Sequence, residues 1–479
     1  MFNDLLDGDA TTLTAHIRNG DVSAVEIAQA ALDRMERREP QINAFCTPTP
    51  ELALTQAAAV DAQRARGETL GPLAGVPLGV KDLICTAGVK TTSGSAVYRD
   101  FVPEDDDITV ERLLAAGAVM LGKTTAPEFG YSGVGHNPLF PSPRNPWDVK
   151  MTPGGSSAGS GAALAARLCP VALGSDGGGS VRIPAAHCGV YGFKPSMGRV
   201  PLWPGCRDER YPGVSSWESL EHIGPMTRTV QDAALMMSVM AGPDMRDRHS
   251  IPCSDVAWLT ATRKEISGLR IAFSADWGFV AVDPEVRAVV TRAAQRFAQD
   301  LGCEVEEAHP GFGDCASSFS ALVAMESDLS GMRKLLPEYG AQMSPHLVAM
   351  LQQPWTAEAF TDAITVRKEV VNTLWRFMQR YDLLITPTLA APPFPLNMQG
   401  PEVIDGRMVR SDHWLSFCFP FNFSGQPAAS VPAGFTASGL PVGLQIVGRH
   451  LDDATVLAAS AAFERLQPWN DFHPPLFAA

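Results

Sequence analysis

Apolar residues recur along this chain with two different periods, and the two periods divide it into predicted elements. Between residues 9 and 46, Leu13 and Ile17, then Ile27, Leu32 and Met35, fall at helical spacing and predict two helices. Gly20 stands where the first should end, and Ser23 with Glu26 forms a capping box that opens the second. From Gly71 the text becomes GPLAGVPLGVKDLICTAG, an apolar run broken by glycine and proline, which predicts a strand carrying Lys81 into the interior. Asp107 predicts the cap of a helix through Val110, Leu113 and Leu114 that stops at Gly117, with residues 118–121 a buried strand behind it. Residues 130–147 are rich in Gly, Pro and Asn and predict irregular backbone able to line a pocket. A helix follows at 229–240, after a polar insertion at 206–221 that reads equally as surface loop or substrate rim.

Residues 268–390 alternate strand-like runs (269–273, 383–386) with helical ones (284–301, 361–379), the pattern of an α/β fold in which a large mixed sheet is sandwiched by helices. The stretch 317–360 is mainly helical and carries Met325, Met332, Met343 and Met350, which suit either core filling or an adaptable helical cover over a substrate pocket. Residues 414–423 carry Trp414, Phe417, Phe419, Phe421 and Phe423, expected in the core with one or two facing a pocket. No repeat, linker or low-complexity tract interrupts the chain, so 1–479 is expected to be one domain, with 1–60 an N-terminal helical segment.

The candidate chemistry lies in residues 152–186, TPGGSSAGSGAALAARLCPVALGSDGGGSVRIPAA. Two hydroxyl-rich turns, Gly154-Gly155-Ser156-Ser157 and Gly177-Gly178-Gly179-Ser180, bracket an apolar segment. Successive glycines let main-chain N–H groups converge, which is how an oxyanion hole is built from backbone. Ser180 follows the second turn directly, so its Oγ and the N–H groups of Gly177, Gly178, Gly179 and Ser180 are expected to meet one carbonyl. A lone lysine is usually a solvated charge, but Lys81 has apolar flanks. Residues 117–124, GAVMLGKT, match the phosphate-loop pattern letter for letter, yet their inner residues are strand-like and Pro127 interrupts any following helix, so nucleotide binding is not expected. His136, His187 and His222 have no adjoining acid motif that would make a Ser–His pair.

GGSSAGSGAALAA followed by SDGGGSVRIPA resembles the amidase signature family, serine hydrolases with a Ser-Ser-Lys triad. Further similarity runs through GKTTAPEFG, RNPWD, GFKPSMGRV and GPMTRTVQDAA to GLPVGLQIVGR, nearly the whole chain. The resemblance implies that Ser180 is the nucleophile, that Ser156 is a serine preceded by a cis peptide bond, and that Lys81 is the base. It also implies that Lys81 draws the nucleophile's proton through Ser156. Ser157 and Asp176 are expected to steady the two turns, and Arg182 to be an internal ion-pair partner. The implied activity is cleavage of amide C–N bonds in small molecules, with aryl or apolar amides favoured by the aromatic and methionine content and esters or carbamates also open. The glutaminase subunit of a tRNA-dependent amidotransferase shares the resemblance, but it typically carries Gln where this chain has Ile183. A non-enzymatic binder on the same scaffold is the remaining alternative.

Composition narrows the partners. With 45% hydrophobic and 19% charged residues the 479-residue chain can bury a large core, and a net charge of −14 disfavours nucleic acid or an anionic membrane as partner. Nine cysteines without a CxxC pair suit reduced thiols and a cytoplasmic setting. The first residues lack the basic and apolar regions of a secretion leader, which also leads Asn422-Phe-Ser424 to be disregarded as a glycosylation site. No zinc-type spacing such as HExxH is present, so neither metal nor cofactor is expected, and a homodimer is left open.

Overall fold

Short, wholly apolar strands must be covered on both faces, and that requirement organises the molecule. A computed structural model describes residues 2–205, 210 and 217–477. In chain order its strands are β1 (Phe45–Pro48), β2 (Pro77–Lys81), β3 (Val119–Thr124), β4 (Val171–Ser175), β5 (Tyr191–Lys194), β6 (Ile223–Thr227), β7 (Arg270–Phe273), β8 (Glu304–Glu307), β9 (Leu383–Pro387), β10 (Val403–Ile404), β11 (Arg407–Met408), β12 (Ala428–Phe435) and β13 (Pro441–Gly448). Eleven of these form one sheet in the order β1-β3-β2-β4-β6-β5-β12-β13-β9-β7-β8, and β10 with β11 makes a separate ribbon. The sheet is mixed, as expected: β2 runs parallel to β3 and β4, and β7 to β8 and β9, while the centre from β4 to β9 is antiparallel. Every residue of β2, β4, β9 and β13 is buried. At the outer edge, the glutamates of β8 are exposed and oppose the addition of another strand.

Helices lie on both faces. Along β13 a Cβ at Gly443 would meet that of Ala186 at 2.6 Å, whereas one at Gly448 would meet Val456 at 2.7 Å. The two positions are an odd number apart and point to opposite faces. Helix Arg182–Cys188 therefore covers one face and helix Asp453–Leu466 the other. Helix Ala158–Ala165 is also wholly buried, and Gly159, the first of its two glycines, is needed for the fit, because a Cβ there would lie 2.1 Å from the Ala44 carbonyl oxygen.

The predicted N-terminal helices are Ala10–Asn19, ended by Gly20 at φ 80, and Ala24–Ile42, opened by the Ser23/Glu26 capping box. Leu32 is only half-buried. Asp107 caps Ile108–Ala115, and Thr229 caps Val230–Met240. The GAVMLGKT segment is no phosphate loop: Gly122, Lys123 and Thr124 belong to β3, and the buried Lys123 Nζ donates to Ile84 O and to Thr86 Oγ1. The helical stretch 317–360 is divided into Ala316–Glu326, Leu329–Tyr339, Pro345–Gln352 and the start of Ala357–Phe377. Within it Met332 and Met343 pack with Phe129, Leu347 and Leu351 in a small core of their own. Most of the 206–221 insertion lies outside the described residues. Among the described residues no helix is long and apolar enough to cross a membrane.

Candidate active site

β2 ends at Lys81, whose side chain is completely buried. Its Nζ donates to Ser156 Oγ at 2.7 Å, to Ser175 Oγ at 2.9 Å and to the Ser175 carbonyl at 3.2 Å. The peptide bond between Gly155 and Ser156 is cis. Removal from water disfavours an ammonium, and burial brings Lys81 down to about 8, against the opposing pull of the Glu221 and Asp176 carboxylates. Ser175, at the end of β4, is a contact that sequence reasoning missed; the available signal was its position directly before the Asp176–Gly179 turn, on a strand parallel to β2. Asp82 accepts from the Thr92 backbone N–H and hydroxyl, a structural network beside β2.

Asp176 organises the second turn. Its carboxylate accepts from Gly179 N at 2.7 Å, from Val181 N at 3.2 Å, and from Arg182 through Nε at 2.9 Å and Nη2 at 2.8 Å. Burial works against its charge, but the Arg182 guanidinium and these donors hold the carboxyl well below the usual carboxylate range. Arg182 is the internal ion-pair partner expected, and it also donates to Cys418 O, Gln445 Oε1 and Asn422 Oδ1. Ser157 joins the turns: its N–H donates to Ser180 O at 3.2 Å, and its Oγ donates to Ser175 O at 3.3 Å.

One part of the expected oxyanion set needs correction. The Gly179 N–H is already given to Asp176, so it is a structural donor, whereas the N–H groups of Gly177, Gly178 and Ser180 make no hydrogen bond among the described residues. The glycines are required by neighbours as well as by φ. A Cβ at Gly177 would stand 2.3 Å from the Trp217 ring, one at Gly178 2.5 Å from Phe319, and one at Gly179 2.6 Å from Cys418 Cβ, with φ +124 at this last residue.

The turn opens into a cavity of about 330 Å³. Gly178 and Ser180 line it together with Gly130, and a Cβ on Gly130 would lie 3.5 Å from Ser156 Oγ. Its walls are mostly apolar, from Tyr131, Ile183, Trp217, Phe319, Val323, Leu347, Met350 and Leu415; Ser132, Ser320, His346, Gln399, Ser411 and Asp412 add polar groups. No lysine or arginine stands among these described lining residues. The expectation that an aromatic from 414–423 would face the pocket is not met: all five are buried and none lines it, while Phe319, stacked on Phe419, does. The three histidines considered are elsewhere or unsuited. His136 is exposed beside Ser142, burial pushes His187 down to about 3, and burial holds His222 neutral with Nδ1 against Leu220 O.

Residues 26–457 match the family model described as Amidase. The chain is 39% identical over 477 residues to an acylamidase of Rhodococcus erythropolis, covering 97% of this chain and 96% of that protein. It is 38% identical to a glutamyl-tRNA(Gln) amidotransferase subunit of Moorella thermoacetica, covering 98% and 99%. Its fold matches the crystal structure of a bacterial aryl acylamidase of the amidase signature enzymes with a TM-score of 0.90 and 31% identity, over 97% of this chain and 98% of the other. With the family model spanning most of the chain and the fold shared over nearly all of it, this protein belongs to the amidase signature family.

Proposed function

We propose that the protein hydrolyses carboxylic amides with an apolar or aryl acyl group through an acyl-enzyme on Ser180. The observation that carries this reading is a buried lysine 2.7 Å from the Ser156 hydroxyl, next to a cavity that Ser180 lines. A serine hydroxyl is a weak nucleophile until a base takes its proton. In the proposed cycle Lys81 is neutral and its Nζ accepts from the Ser156 hydroxyl across the same 2.7 Å contact, so that the Ser180 proton passes to Ser156 Oγ while that of Ser156 passes to Nζ. The Ser180 Oγ–carbon bond forms, and the N–H groups of Gly177, Gly178 and Ser180 receive the oxyanion. The protons then return along the same path to the leaving nitrogen as the C–N bond breaks. Water repeats the steps and releases the acid. Helices Ala316–Glu326 and Pro345–Gln352 serve as the cover over this pocket, the first contributing Phe319, Ser320 and Val323 and the second His346, Leu347 and Met350.

The competing reading is a glutaminase subunit. Free glutamine brings an α-carboxylate as well as an ammonium group, and burying an unpaired carboxylate is costly. The absence of lysine and arginine from the described cavity lining favours a neutral acyl group instead. The test is direct. A fluorophosphonate probe should label the wild-type protein at Ser180, and Ser180→Ala should abolish both labelling and turnover. Lys81→Ala should reduce anilide cleavage by at least about a hundredfold and activated-ester cleavage by less, because an ester leaving group needs no proton. Equal losses on the two substrates would count against the relay, and turnover of glutamine alone would favour the rival.

A further inference from the structure

Resting on that reading, we infer that Trp217 and Phe319 are the two walls of the acyl subsite and that Phe319 sets the size of acyl group accepted. The placement of the rings carries the argument. Trp217 occupies the space a Cβ would need at Gly177, and Phe319 the space a Cβ would need at Gly178, so both rings stand on the backbone that carries Ser180. Both line the cavity with Ser180. An acyl group bonded to Ser180 Oγ must begin beside this backbone, where these two rings stand.

Neither ring is free to yield. Phe319 stacks on the buried Phe419 at 5.0 Å between centroids and lies 6.0 Å from Phe423. Trp217 meets Tyr131 edge-on at 4.8 Å, and the Tyr131 hydroxyl is in turn bonded to Ser327 Oγ. Rings fixed in this way exclude by shape, since a side chain pressed against packed neighbours cannot rotate aside without losing those contacts. The two walls differ in what supports them. Trp217 is buried, whereas Phe319 is half-exposed on helix Ala316–Glu326, with Ser320 and Val323 of the same helix also reaching the cavity. Phe319 is thus the wall that can be cut back with its helix left in place. Flat aryl and short unbranched acyl groups fit between such walls; branched groups at the α-carbon collide with them.

The test compares kcat/KM of wild type, Phe319→Ala and Phe319→Leu on acetyl, benzoyl and pivaloyl anilides, with fluorophosphonate labelling of Ser180 measured for each. The expected result is a rise in the pivaloyl-to-acetyl ratio of about tenfold or more for Phe319→Ala, a smaller rise for Phe319→Leu, and labelling retained throughout. A ratio unchanged in Phe319→Ala with labelling intact overturns the assignment. Should Phe319→Ala lose labelling through misfolding, Phe319→Leu decides by the same ratio. Wild-type protein that takes no label and cleaves no anilide would instead refute the proposed hydrolase itself.

Discussion

In the proposed reaction Lys81 is the base at a pH where an exposed lysine is fully charged, and its surroundings bring it only part of the way. Burial moves it to about 8, so roughly one molecule in ten carries the neutral form at pH 7, a tenfold change in ratio per unit. Because only that form can accept a proton, kcat/KM should rise about tenfold per pH unit below 8 and level off above it. Glu221 raises Lys81 by its charge, so Glu221→Gln should move this limb to lower pH; a limb that stays in place would show that the lysine does not set it. At this scale the sequence was informative but incomplete. The glycines of the second turn announced themselves by composition, since few roles other than a tight turn need three in a row. The rings packed on them did not, because Trp217 and Phe319 come from segments whose approach no local pattern encodes. The role of the Gly179 N–H is hidden for the same reason: the carboxylate that takes it can be assigned only once the turn has a shape.

Helix ends tell a similar story among the elements. Ser23 and Asp107 could each be read as caps, because a short polar side chain before an apolar run satisfies open N–H groups. The breaks within 317–360 were hidden, since Asp328 and Thr356 cap their helices from inside what looks like one continuous helical stretch. Caps also join distant elements, and here they carry a cost. Asp232, near the start of Val230–Met240, accepts from the Ala10 N–H that opens the first long helix, and Glu464 of Asp453–Leu466 accepts from Val230 N. Burial pushes Asp232 up to about 7 and Glu464 up to about 8, against the backbone donors and with the help of Asp9, joined at Glu464 by the charge of Asp232. Groups whose folded pKa is raised contribute stability at low pH that is lost as pH climbs through the folded values. The stability of the wild type relative to Glu464→Gln should therefore fall between pH 5 and pH 9, as read from urea midpoints of the two proteins. A difference that is constant over this range would refute the account.

Across the whole molecule, Arg182 ties the reactive turn to the distant end of the chain, bonding Asp176, Cys418, Asn422 and Gln445 with no exposure to solvent. Removing one partner of a buried ion pair strands the other, so Arg182→Ala should cost about 3–5 kcal/mol of stability in denaturant unfolding; a loss below 1 kcal/mol would mean that water reaches Asp176. The alternation of helix and strand was enough to expect a mixed sheet between helices. The strand order was not readable, because pairing such as that of β5 with β12 joins residues too far apart in sequence for any spacing rule to reach. That order has a bearing on synthesis. β12 and β13 lie in the middle of the sheet although they come late in the chain, and Gln445 of β13 completes the shell around Arg182. On the proposed reading, Ser180 leaves the ribosome long before β13, and the turn that carries it gains the Gln445 contact to Arg182 only once that strand has been made.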